Sequence, residues 1–232
     1  MRPPTEPVAA VWFDLYGTLV DLDPLVDACE AGAPGHGADV AEGWRARQVE
    51  ASWLRTLMDR WAPFETVTRE ALAAAAADVG IDIATLDALD GAFERLPARQ
   101  GAAECLRALR DLGVPTGILS NGSSAMIERT SRGAGLRDLV DEVRSVDAVR
   151  RYKPDPAVYR LATEASGLEA ARVGFVTANG WDAAGAAAFG FRVAWLRPAR
   201  DVVVAAVVPA VGVPDPVVAT WNELPRLFGL SH

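Results

Sequence analysis

The sequence predicts an α/β protein: a parallel sheet covered by helices on both faces, with a purely helical segment spliced in after the first strand. Three observations carry this. Short apolar β-rich runs alternate with segments of helical period, as expected where each strand is buried on both faces. Residues 21–96 hold helical patterns and no strand signal. Half of the 232 residues are hydrophobic, enough for one large core with a smaller inserted unit. The expected division is 1–20 and 97–232 for the core and 21–96 for the insert.

The elements follow in order. "AAVWFDLYG" reads as a strand that gives way to a loop at Asp14, with Gly17 and Thr18 just beyond. "DVAEGWRARQVEASWLRTLMDRWAPF" is one long Trp-rich helix, and "TREALAAAAADVG" and "ATLDALDGAFERL" are two more. "ALAAAAA" is biased in composition, but Ala is the strongest helix former, so a packing helix is expected. "AAECLRALRDLG" has helical spacing up to Gly113. "VPTGILSNG" is a strand closed by Asn-Gly, "SAMIERTSRGAG" a helix, and "PDPAVYRLATEASG" a helix with a proline-marked start. "RVGFVTAN" is a strand, "WDAAGAAAFG" a small-residue helix and "FRVAWLR" a last strand. Ligands of such sheets bind beyond the carboxyl ends of the strands. Asp14, Ser120 with Asn121, and Thr177 to Asn179 all fall at predicted strand ends, so one cleft collects them.

Several function classes drop out. The net charge is −8 and no Lys/Arg stripe forms, so no nucleic-acid partner is expected. "VVVAAVVPAVGV" (202–213) is too short to span a bilayer and Pro209 breaks it, so no membrane partner is expected either; it is read as covering a core edge or forming a subunit contact. "MRPPTEPVAA" lacks the apolar run of a signal peptide. Cys29 and Cys105 make neither a disulfide framework nor a metal pair; both are expected as small buried apolar residues of a soluble cytoplasmic protein. With only His36 and His232, a Ser-His-Asp triad and a His-ligated zinc are nearly excluded. No phosphate loop or dinucleotide fingerprint follows a strand. The chemistry falls to carboxylates, Lys, Arg and hydroxyls.

Four clusters, "FDLYGTL", "ILSNGS", "YKPDPAVY" and "TANGWDAAGA", resemble in order and spacing the four motifs of the haloacid dehalogenase superfamily. More narrowly they resemble its L-2-haloacid dehalogenase branch, and "WRARQVEASWLRTLM" is similar to that branch's cap helix. The resemblance covers about residues 8 to 200. It implies a Rossmann-like core with an inserted helical cap. It also implies hydrolytic dehalogenation of short L-2-haloalkanoic acids to 2-hydroxyacids, with inversion, through an aspartyl ester on Asp14. The partner would be a small-molecule 2-haloacid, and a homodimer is common in the family.

The residues speak to this directly. Most of the superfamily are phosphatases, in which a second Asp two residues after the nucleophile protonates the leaving alcohol. Here that position is Tyr16. General acid catalysis is worth ~10²–10⁴-fold, but a halide leaves as a stable anion and needs no proton. An aromatic wall also suits a halogenated carbon. The fourth cluster offers Asn179 and Asp182 rather than two adjacent acids, and Mg²⁺ wants hard, charged oxygens, so neither a catalytic metal nor any other cofactor is expected. Asp14 could otherwise be a turn residue, and Asp182 a first-turn helix acid, a role compatible with general base. A lysine near Asp14 would keep it ionised, and Lys153 is the candidate, although most lysines are solvated.

The resemblance assigns the remaining roles. Ser120 binds the substrate carboxylate and Asn121 helps receive the halide, although Asn-Gly is also an ordinary turn. Arg45 receives the halide, since an arginine in a closed cleft grips anions; its plain alternative is a solvated arginine like Arg47 and Arg55. Thr18, Thr177 and Asn179 join Asp14, Lys153 and Asp182 as the catalytic set, while Phe64, Tyr159 and Trp181 join Tyr16 around the substrate, where plain packing competes. The chain departs from the family pattern at Thr177 and Ala178, where Ser is common, and at Ala46, where a pocket-lining Gln is usual. A metal-dependent phosphatase and a non-catalytic binding module are the alternatives, because fold alone does not fix function.

Overall fold

The computed structural model describes residues 6–89, 91–196, 217–218 and 220–230; the 202–213 segment lies outside them. Six parallel strands form one sheet: β1 (Ala10–Phe13), β2 (Thr116–Ser120), β3 (Glu142–Ser145), β4 (Val173–Thr177), β5 (Arg192–Leu196) and β6 (Val217–Val218). Their order is β3-β2-β1-β4-β5-β6. The three middle strands are buried throughout, which is why they read as unbroken apolar runs. β3 is charged, half-buried and on an edge, so its sequence carries no strand pattern.

β1 is central and pairs on both sides, Phe13 with Ile118 and with Val176. The chain winds to one side of it through β2 and β3 and to the other through β4 and β5. Such a reversal opens a crevice at the carboxyl ends of the strands. Asp14 follows β1 there, anchored by its own N–H to the Val176 carbonyl at 3.0 Å.

Helices α4 (Ala102–Asp111), α5 (Ser124–Gly133), α6 (Pro156–Ser166) and α7 (Gly180–Phe189) connect the strands, and α8 (Leu224–Leu227) follows β6. Between β1 and α4 lies the helical insertion: α1 (Pro24–Gly32), α2 (Gly37–Leu57) and α3 (Phe64–Asp78). The alanine run packs as expected. Ala71, Ala75 and Ala76 are buried, and a Cβ on Gly43 of α2 would meet the Ala75 methyl at 3.4 Å. The expected helix over "ATLDALDGAFERL" is instead two 3-10 segments, Ile83–Leu89 and Ala92–Glu94, with Gly91 at φ 68° between them. A left-handed residue breaks the helical ladder there. The insertion leaves and returns through one doorway, where Val20 pairs antiparallel with Ala98. Cys29 and Cys105 are buried free thiols, and no helix among the described residues is long and apolar enough to cross a membrane.

Candidate active site

Lys153 organises the crevice. It is fully buried, so the solvated alternative fails. Its Nζ donates to Asp14 Oδ1 at 3.1 Å and to Asp182 Oδ2 at 2.9 Å, and lies 4.9 Å from the Phe175 ring centre. A buried ammonium is unfavourable by several kcal/mol unless it is paired, and breaking such a pair costs about 3–5 kcal/mol. Burial alone would lower its pKa; the two carboxylates and their hydrogen bonds outweigh this and raise it, so it stays charged. The Lys153–Pro154 peptide is cis, and the Lys153 N–H donates to Asn121 Oδ1 at 2.9 Å.

Asp14 is held on both oxygens. Oδ2 accepts from Thr18 Oγ1 at 2.9 Å and from Asn179 Nδ2 at 2.7 Å, whereas among the described residues Oδ1 takes only the lysine bond. Thr18 Oγ1 also accepts the Ala178 N–H at 2.9 Å, tying the β1 loop to the β4 loop. Gly17, at φ 80°, supplies the left-handed step that turns the chain back between Tyr16 and Thr18; a side chain there would be strained.

Asp182 lies in the first turn of α7 and is fully buried. Tyr159, from α6, donates its hydroxyl to Oδ1 at 2.7 Å. Burial and the neighbouring Asp14 charge raise the Asp182 pKa against Lys153 and Tyr159, leaving it at about 6. Asn179 precedes α7 but does not cap it with its side chain. Its Nδ2 also donates to the Tyr16 carbonyl at 3.1 Å, and its Oδ1 accepts from Arg45 Nη2 at 3.3 Å.

Arg45 thus reaches the core from α2. Burial lowers its pKa from the ordinary arginine value, and the Asp14 and Asp182 charges counter that. Arg47 and Arg55 instead pair on the surface with Asp78 and Glu70.

The apolar wall is built from Tyr16, whose ring stacks on Phe64 with centroids 6.2 Å apart and meets Phe93 edge-on at 5.6 Å. Its hydroxyl is 3.1 Å from Thr130 Oγ1, which itself donates to the Phe93 carbonyl at 3.1 Å. The Thr130 proton is therefore committed, and Tyr16 must be the donor. Burial pushes the Tyr16 phenol well above its ordinary value, so it holds that proton. Trp181 meets Trp53 of α2 edge-on at 5.7 Å.

The direct contacts bring together Asp14, Thr18, Arg45, Asn121, Lys153, Tyr159, Asn179 and Asp182. Two hydroxyls serve the local backbone: Ser120 Oγ accepts from Gly122 N at 3.2 Å, and Thr177 Oγ1 from Asn179 N at 3.1 Å. Gly122 is not in the left-handed region a tight Asn-Gly turn uses. It is required because a Cβ would press on the Tyr16 ring at 2.9 Å. Ala46 is exposed and does not line the pocket as its family position implied.

The residue missing from the sequence reading is Gln48, fully buried and hydrogen-bonded to Arg45 Nη1 at 2.7 Å. The signal available was its place three residues after Arg45, on the same helical face. Tyr152, which ties the core to the insertion through its hydroxyl on the Ala62 carbonyl at 2.7 Å, was also unread.

Comparison with known proteins places this geometry. Residues 8–190 match the haloacid dehalogenase-like hydrolases. An (S)-2-haloacid dehalogenase of Pseudomonas sp. (strain YL) is 40% identical over 197 residues, 84% of this chain and 85% of that protein. The (S)-2-haloacid dehalogenase of Xanthobacter autotrophicus is 40% identical over 95% of this chain and 94% of its own length. The solved structure of L-2-haloacid dehalogenase from Xanthobacter autotrophicus superposes with a TM-score of 0.83 at 38% identity, covering 95% of this chain and 98% of that one. A second structure of that protein carries chloropropionic acid covalently bound; it superposes with a TM-score of 0.82 at 38% identity, covering 95% and 98% of the two chains. The chain belongs to the haloacid dehalogenase-like hydrolase family, in the company of its (S)-2-haloacid dehalogenases.

Proposed function

We propose that this protein hydrolyses the carbon–halogen bond of short L-2-haloalkanoic acids, giving 2-hydroxyacids with inversion at C2 through an ester on Asp14. The observation that carries the reading is the asymmetry of Asp14: one oxygen is anchored by Thr18 and Asn179, the other is bound, among the described residues, by Lys153 alone, and Tyr16 stands where an ester phosphatase needs an acid.

Oδ1 is the attacking atom, since it keeps the freer lone pair. It approaches C2 from behind against the Tyr16–Phe64 wall, and the covalent step splits one hard displacement into two easier ones. Arg45 receives the departing halide. Asn121 assists through its amide NH₂, because its oxygen is occupied by the Lys153 N–H. Ser120 holds the substrate carboxylate with the hydroxyl proton that the Gly122 N–H leaves free.

Water then attacks the ester carbonyl. Negative charge builds on Oδ2, where the Thr18 hydroxyl and the Asn179 amide already point. Donors placed in advance at a developing oxyanion are commonly the largest single contribution to such a step. Asp182, with its pKa at about 6, is the base for this water. Lys153 stays charged throughout and orients both carboxylates. The two buried thiols suit a reducing, cytoplasmic location.

The experiment is a single turnover in H₂¹⁸O with enzyme in excess of 2-chloropropionate. The product oxygen comes from Asp14, so the first hydroxyacid should be unlabelled, with the label in the peptide bearing Asp14. Asp14→Asn should be inactive, whereas Asp182→Asn should release about one equivalent of halide and stall. Label in the product of the first turnover would sink the ester mechanism.

A further inference from the structure

Gln48 is fully buried on α2, and a buried amide is unfavourable unless both its ends are bonded. Its Oε1 accepts from Arg45 Nη1 at 2.7 Å, and its Nε2 donates to Thr68 Oγ1 of α3 at 2.7 Å. Thr68 Oγ1 in turn donates to the Phe64 carbonyl at 2.7 Å. The direction of this chain is forced. A carbonyl can only accept, so the Thr68 proton points to Phe64. Thr68 then offers only a lone pair, which takes the amide N–H. The amide oxygen is left facing the guanidinium and cannot turn over. Trp44 Nε1, donating to the Thr68 carbonyl at 2.7 Å, fixes the same residue from α2 a second time.

The partner chosen for Arg45 is neutral. Among the described residues its bonds go to amide oxygens only, those of Gln48 and Asn179. Arg47 and Arg55, on the same helix, sit on carboxylates. A glutamate of the same size would hold Arg45 at least as firmly, but it would cancel the charge that an incoming anion needs.

We propose that Gln48 and Thr68 are positioning residues: a directional relay that aims the Arg45 guanidinium into the crevice and leaves its charge uncancelled. This rests on the reading of Arg45 as the group that receives an anion. It makes position 48 a determinant of anion capture, and Thr68 the residue that sets the amide's orientation.

The test uses the full chain, with 2-chloropropionate as substrate. Gln48→Glu should lose kcat/KM by about 10–100-fold, chiefly in KM, because the arginine it holds is neutralised. It should also lower the unfolding temperature, since its second oxygen meets the Thr68 lone pair that the amide N–H now fills. Combining it with Thr68→Val, which removes that lone pair, should recover the unfolding temperature but not KM. Thr68→Val, which frees the amide to flip, should lose about tenfold, and Thr68→Ser, which keeps the hydroxyl, should recover most of that loss. An undiminished kcat/KM in Gln48→Glu, or equal losses in Thr68→Val and Thr68→Ser, overturns the proposal. A second readout does not depend on turnover. In ¹⁵N-labelled protein the Arg45 Nη protons should give separate, slowly exchanging signals that merge in Thr68→Val and not in Thr68→Ser. Merged signals in the unmodified protein overturn the relay. If the unmodified protein releases no halide, the dehalogenase reading fails, and the relay is judged on these guanidinium signals.

Discussion

Two buried carboxylates share the Lys153 ammonium, and their positions make them unequal. Asp14 gathers donors from Thr18, Asn179 and Lys153. Asp182 is more deeply buried and sits beside the Asp14 charge, so its pKa climbs to about 6 from an ordinary 3.8. A base must be deprotonated to take a proton from water. Turnover should therefore fall as pH drops through about 6, while displacement at Asp14, which does not use Asp182, still releases its first equivalent of halide. Stopped-flow halide release against pH separates the two phases; loss of both together near 6 would count against this division of labour. For stability the sign follows from linkage. With the folded pKa raised, the folded state holds the proton more tightly, so this group's contribution to stability falls as pH rises from about 4 through 6. At this scale the sequence was informative about chemistry and silent about orientation. Asp14, Lys153 and Asp182 could be picked out by their place in the motifs that resemble the family's. That Asn121 turns its oxygen to a backbone N–H, that Thr177 braces the Asn179 N–H, and that Ala46 faces solvent depends on side-chain directions that no pattern encodes.

At the scale of elements, the strand–loop–helix units do the positioning. α7 can lie against Tyr159 because of its small residues: a Cβ on Gly185 would come within 2.5 Å of the tyrosine hydroxyl and of Pro154. The composition "AAGAAAF" showed a small-residue helix, but not which neighbour required it. The buried strands were legible because each is apolar on both faces. β3 was not, because an edge strand with Glu142 and Arg144 has half its surface in water. The two 3-10 segments of the insertion were misread for a different reason: their apolar residues recur at nearly helical spacing, and the left-handed Gly91 decides the break. α2 gives the sharpest prediction here. It presents Arg45 to the crevice and Arg47 to Asp78 on the surface. Arg45→Lys should cut kcat/KM by about 10²-fold or more, since an ammonium keeps the charge but loses the planar fork that meets Gln48 and Asn179 together. Arg47→Lys should stay within about twofold, as exposed ion pairs contribute little. Steady-state rates of the two variants check this; similar losses in both would move the anion-binding role to another residue.

At the scale of the whole molecule, the insertion closes over the strand ends and makes one crevice of residues scattered from Asp14 to Asp182. It is tied to the core by polar contacts, among them Arg45 on Asn179, Tyr152 on Ala62 and the Tyr152 N–H on Thr56 Oγ1 at 2.9 Å, and by aromatic contacts such as Tyr16 on Phe64 and Trp181 on Trp53. Within that crevice the Lys153 ammonium stands between the two carboxylates and pairs with both, and no group of three or more His, Cys, Asp or Glu that could hold a metal ion occurs among the described residues. Halide release should accordingly survive dialysis against EDTA and gain nothing from added Mg²⁺. Loss on chelation and recovery with Mg²⁺, alongside phosphate release from p-nitrophenyl phosphate, would favour the phosphatase alternative instead. The order of the strands also sets a timetable. β1 lies between β2 and β4, yet it is the first strand of the sheet to be synthesised. Its partner Val173 follows Ala10 by about 160 residues, roughly ten to thirty seconds of translation at ~5–20 residues per second. The helices of the insertion form from local contacts and can be complete within that interval. Val11, Trp12 and Phe13 have no strand neighbour until β2 emerges about 105 residues after them, and the strand that bears Asp14 is sealed on its second side only once β4 has emerged.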